Sequence, residues 1–107
     1  MRLHENFEWD EDKAEKNFKK HGVSFDDAAL VLSDEDGDTF HVEEHDDRHT
    51  EEDRYVTTAS YPDDRGIVLV IAWTDRSTED AKITRIISAR AAKPSERKRY
   101  VKELSGP

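Results

Sequence analysis

The sequence predicts an α+β domain on three observations. Apolar residues recur at helical spacing between Glu11 and Leu32, the pattern changes to strand-forming runs between Arg54 and Ser88, and Pro94-Ser95 opens a closing helix. The expected order is a short first strand, two helices, an antiparallel sheet of three to four strands joined by short turns, and a C-terminal helix. With 107 residues there is room for one modest core, so the chain is read as a single domain, 1–107.

Each element has a local reason. Leu3 to Trp9 alternates Phe7 and Trp9 near its end and is read as the first strand. Asp10 is the N-cap of a helix from Glu11 to His21, whose inward face is expected to carry Ala14, Asn17, Phe18 and His21, with Gly22 where a C-terminal cap belongs. Ser24 opens a second helix in capping-box form, with Asp27 three residues on and Phe25, Ala28, Ala29 and Leu32 as its apolar face. Thr39–Val42 is a strand candidate inside an acidic stretch otherwise read as solvated loop. Arg54–Ser60 suits a strand, Pro62 to Gly66 is turn chemistry, and the unbroken apolar run Ile67–Thr74 reads as a central strand buried on both faces. Lys82–Ser88 is the last strand, and the closing helix runs from Pro94 to about Leu104.

Several classes of function are excluded. The chain has no cysteine, so disulfide and thiolate chemistry are absent. No apolar run approaches the length of a membrane span, and Met1 to Glu11 lacks the apolar stretch of a signal peptide, so a cytoplasmic protein without membrane contact is expected. There is neither a glycine-rich phosphate loop nor a Gly-x-Ser-x-Gly run, and no cofactor is implied.

Charge is sorted by position. The net charge is −9, yet the segment of about 33–53 holds eleven carboxylates against Arg48 alone, a local −10. Residues 82 to 102 hold eight bases against Glu96 alone, a local +7 that suits a phosphate backbone. Such an acidic excess is also what a salt-rich cytoplasm would select.

The bases Lys20, His21, Arg54, Arg85, Arg90 and Arg99, with Tyr100, suit cleavage of RNA, in which a 2′-hydroxyl attacks its own phosphorus and no metal is obligatory. Guanidinium groups stabilise the charge gathered on phosphoryl oxygens in the transition state, and proton transfer needs a group that titrates near neutrality. His21 is the natural choice, with Tyr100 or Lys20 as substitutes. His21 also suits a plain capping role at a helix C-terminus. Strand parity is an obstacle: a regular strand sends Arg85 and Arg90 to opposite faces, so both reach one site only if the strand bends or ends between them. A carboxylate partner for mid-strand Arg85 is the bland alternative. His41, His45 and His49 stand four apart among acids, but no apolar stripe supports a helix there and no metal site is expected. Trp9 and Trp73 read as core residues.

Three ordered runs resemble one family: Phe7-Glu8-Trp9-Asp10 with Lys13 and Asn17; Lys20-His21-Gly22-Val23-Ser24-Phe25 with Ala28; and Arg85-Ile86-Ile87-Ser88-Ala89-Arg90 followed by Glu96-Arg97-Lys98-Arg99-Tyr100. Together they resemble the BrnT family of type II toxins, from Phe7 to about Tyr100. The resemblance implies a compact RelE-like fold, metal-independent endoribonuclease activity that inhibits translation, and neutralisation by a BrnA-type antitoxin, with operator DNA bound only through the antitoxin complex. It points to Arg85, Arg90, His21, Lys20 and Tyr100 as catalytic positions, and Arg54, Lys82, Arg97 and Arg99 are the expected RNA contacts. The long acidic stretch departs from the family pattern. The alternative is a non-catalytic RelE-like module that binds a protein partner or, in complex, operator DNA.

Overall fold

The computed structural model describes residues 2–4, 7–33, 42–46, 54–60 and 66–105. The elements are β1 (Arg2–His4), β2 (Phe7–Trp9), α1 (Glu11–His21), α2 (Phe25–Leu32), β3 (Val42–Asp46), β4 (Arg54–Ser60), β5 (Val68–Asp75), β6 (Thr84–Ala91) and α3 (Pro94–Ser105). The class is α+β, as expected.

Local chemistry sets the helix ends. The Asp10 side chain accepts the N–H groups of Asp12 at 2.9 Å and Lys13 at 3.3 Å, and those bonds, that of Lys13 foremost, hold its carboxyl below the usual value. At the other end Gly22 takes φ +72°, a conformation that a side chain would strain, and donates its N–H to Phe18 O at 2.7 Å. Ser24 Oγ accepts the Asp27 N–H at 3.1 Å to start α2. The inward faces follow expectation in part. On α1 Asn17 is buried and Ala14 packs against the core, while Phe18 is 55% exposed and His21 is exposed. On α2 Phe25, Ala28 and Ala29 are buried and Leu32 packs against the core partly buried, with Val31 fully buried beside them.

The strands form one sheet in the order β1-β2-β6-β5-β4-β3. From β3 to β6 it is the four-stranded antiparallel meander that the turns predict. The correction lies at the amino end. The single strand expected over Leu3–Trp9 is two three-residue strands paired antiparallel, with Leu3 opposite Glu8, and β2 then pairs parallel with β6. The sheet is therefore mixed and wider than expected. The hydrophobic spacing at Phe7 and Trp9 is satisfied by β2 alone, because both rings already reach the core from three residues. Of the Thr39–Val42 candidate only Val42 is among the described residues. The strand that begins there runs on to Asp46, where loop was expected.

The core lies between the sheet and the α1–α2 pair. Trp9, Phe25, Ala28, Ala29, Val31, Leu69, Ile71, Ile86 and Ala89 form one buried cluster, and the rings of Trp9 and Phe25 meet edge to face at 6.0 Å. Full burial of a side chain such as Phe25 or Ile71 stabilises by about 1.5–3 kcal/mol. Trp73 packs against this cluster, stacks on Tyr55 at 4.6 Å and donates its indole N–H to Thr57 Oγ at 2.8 Å. Asn17 ties α1 to the sheet: its side-chain amide donates to Ala89 O at 2.8 Å and accepts from Ala89 N–H at 3.2 Å, and it donates to Val23 O at 3.1 Å. The amide pairs with the β6 backbone as a neighbouring strand would. No helix among the described residues is long and apolar enough to cross a membrane.

Candidate functional site

The two arginines of β6 meet on one face because the strand is irregular between them. Ala72 of β5 lies opposite Ser88 and Trp73 lies opposite Ile86, so Ile87 is an extra residue and the register shifts there. One inserted residue reverses the alternation of sides. Burial records the reversal, since Ile86 and Ala89, three apart, both enter the same core. Their neighbours Arg85 and Arg90 are therefore both on the face turned away from α1 and α2. Arg85 lies across from Thr74 and Arg90 across from Val70, about 13 Å apart along the strands.

A polar row crosses this face. Arg54 is opposite Thr74, Thr74 is opposite Arg85, and Arg85 is opposite Glu8 of β2. Arg85 donates from Nη1 to Glu8 Oε2 at 2.8 Å. Glu8 is available for this because its neighbours Phe7 and Trp9 take the core side, which sends Glu8 to the other. Thr74, at the middle of the row, is buried.

The second clamp joins β6 to α3. Arg90 grips Glu96 with two bonds, Nη1 to Oε1 at 2.7 Å and Nη2 to Oε2 at 2.8 Å. Glu96 Oε1 also accepts the Lys93 N–H at 2.7 Å, capping the first turn of α3. The Arg90 guanidinium foremost, with the Lys93 N–H, pulls the Glu96 carboxyl down to about 2, and Glu96 in turn raises Arg90 above its ordinary value. One turn after Glu96, Tyr100 is buried and its hydroxyl accepts the Ser60 N–H at 3.3 Å. Val68, the cross-strand partner of Ser60, and Val70 are also buried, on the side of the sheet away from the main cluster.

The structure thus brings Arg54, Arg85 and Arg90 to one sheet face, with α3 and Tyr100 at its edge. Arg97 and Arg99 are exposed on α3, and Lys82 is exposed in the connection that leads into β6. Lys20 and His21 are not on that face. They end α1, exposed, on the helical side of the sheet. Because β2 runs parallel to β6 and Asn17 is bonded further along at Ala89, α1 advances with β6, and its last residues point toward the Arg90 end. The His41 and His49 positions of the histidine cluster lie outside the described residues. Among the described residues no group of three or more histidines and carboxylates is placed to hold a metal ion.

Sequence reasoning missed Glu8 and Glu96 as members of the site. The signal for Glu8 was its place between two core aromatics, and for Glu96 its position three residues after Lys93 at a helix start.

Fold and site together define a small α+β protein with an arginine-bearing sheet face clamped by carboxylates. Residues 9–96 match the family model described as the ribonuclease toxin BrnT of type II toxin-antitoxin systems, and the chain belongs to that family. Among curated proteins, none matches the chain.

Proposed function

We propose that this member of a ribonuclease toxin family is a metal-independent endoribonuclease of the cytoplasm that cuts RNA, inhibits translation and is neutralised by a BrnA-type antitoxin. The observation that supports the reading is the shared face of Arg85 and Arg90 across the Ile87 irregularity. In this mechanism the 2′-oxygen forms a bond to its own phosphorus as the bond to the 5′-oxygen breaks. A base takes the 2′-hydroxyl proton and an acid gives one to the leaving 5′-oxygen. Arg85 and Arg90 stabilise the charge on the remaining phosphoryl oxygens, each held in position by its carboxylate. Of the expected proton-transfer groups Tyr100 lies on the arginine side of the sheet, whereas Lys20 and His21 end α1 on the opposite side and are set too far from the arginine face to serve it, and Arg54, Lys82, Arg97 and Arg99 hold the RNA on either side.

The test is cleavage of a labelled single-stranded RNA by purified protein in the presence of chelator. The wild type should cut, and Arg85→Ala and Arg90→Ala should each lose about 100-fold in rate, the scale of removing one transition-state donor. Loss of the wild-type activity on adding chelator would exclude the metal-independent mechanism.

The carboxylate partners of both arginines favour a second reading, a non-catalytic module that binds a protein partner or, in complex, operator DNA. A folded wild type that leaves RNA uncut with and without ribosomes would support it.

A further inference from the structure

Along the outer side of α3 runs a groove of about 500 Å³, lined among the described residues by Pro94, Arg97, Lys98, Val101 and Lys102. These positions recur at three- and four-residue spacing, so they share one helix face, while Glu96 and Tyr100 turn inward to Arg90 and Ser60. Val101 is 58% exposed, the most exposed of the large apolar side chains among the described residues. The groove therefore has an apolar line, Pro94 and Val101, bordered by three cations.

We propose that this groove docks an acidic, amphipathic segment of the antitoxin, with an apolar residue seated on Val101 and carboxylates beside Lys98 and Lys102. The proposal rests on the reading of the chain as a toxin held by a protein antitoxin. Two properties select this occupant over RNA. A phosphate backbone would match the cations but would leave the apolar line unused, whereas an amphipathic peptide matches both. The groove is also lined by Arg97, one of the expected RNA contacts, so a segment bound there covers a position that RNA would use.

The experiment measures binding of a purified BrnA-type antitoxin to this chain by calorimetry, with RNA cleavage measured on the same samples. Val101 and Lys98 are exposed, and circular dichroism checks that their variants fold. Val101→Ser should weaken antitoxin binding about tenfold, the loss of one apolar anchor, and leave the cleavage rate of the free protein unchanged. Lys98→Glu with Lys102→Glu should weaken binding about 100-fold by placing like charges opposite one another. Wild-type antitoxin affinity in these variants overturns the proposal, as does a loss of RNA cleavage without loss of antitoxin binding, which would make RNA the occupant. Absence of antitoxin binding by the wild type overturns it too, and cleavage in that sample would leave the ribonuclease reading standing. Binding that depends on Val101, in a protein that cuts no RNA, supports the docking surface and rejects the ribonuclease.

Discussion

The two faces of the sheet are held by different forces. Toward α1 and α2 the contacts are apolar and dense, with Trp9, Phe25, Ile71 and Ile86 almost entirely removed from water. Toward α3 the cohesion comes from Tyr100 on Ser60 and from arginines gripped by Glu8 and Glu96, each pair still partly open to solvent. Stability should therefore reside mostly on the first face. The second is arranged so that charges sit in fixed positions where a ligand can reach them, and partly exposed ion pairs contribute little to folding.

Substitutions can break this contrast, and the largest effect belongs to the apolar face. Phe25→Ala should cost about 3–5 kcal/mol in urea unfolding, from lost burial and the cavity left beside Trp9. A cost below about 1 kcal/mol would mean that the α2 layer is dispensable. Asn17→Ala removes three hydrogen bonds and orphans both polar groups of Ala89, for about 3 kcal/mol; proton exchange at the Ala89 amide should report the opening.

On the charged face activity should move more than stability. Glu96→Gln retains an acceptor for Lys93 but frees Arg90 from its anionic partner. Stability should fall by about 1 kcal/mol or less, while RNA cleavage falls about tenfold. The same variant sharpens the pH dependence. The folded Glu96 carboxyl is depressed from 4.5 to about 2, so its stabilisation is present above the unfolded value and is lost as pH falls toward 2. Acid titration of the wild type should therefore be steeper between those values than titration of Glu96→Gln. Tyr100→Phe should cost about 0.5–1.5 kcal/mol of stability, for the bond from Ser60. A cleavage loss far beyond that, with an altered pH-rate profile, would assign Tyr100 a proton-transfer role.

The same contrast explains what could be read from the sequence. Helix α1 was legible to the residue, because Asp10 and Gly22 mark its ends by local chemistry, and β4 was legible because its strand formers are contiguous. The apolar face followed from periodicity, except on α1. There spacing set Ala14, Asn17, Phe18 and His21 inward together; Asn17 does meet the sheet, through a backbone-like amide, and Ala14 packs against the core, whereas Phe18 and His21 are exposed. On the charged face the residues were named but their geometry was not. Nothing in Arg85 to Arg90 signals that Ile87 is inserted, so regular alternation placed the two arginines apart. The partnership of Glu8 with Arg85 depends on a parallel pairing that no local pattern specifies.

That pairing also sets an order of assembly during synthesis. Glu8 and Arg85 are separated by 77 residues, so β2 leaves the ribosome well before β6 and waits for it. At about 5–20 residues per second the delay is several seconds, in which α1 and α2 can form while the arginine face does not exist. A nascent chain halted before Thr84 lacks both arginines and the strand that β2 requires. Ribosome-bound intermediates should accordingly resist proteolysis in the helical hairpin only late, once β6 has emerged to close the sheet.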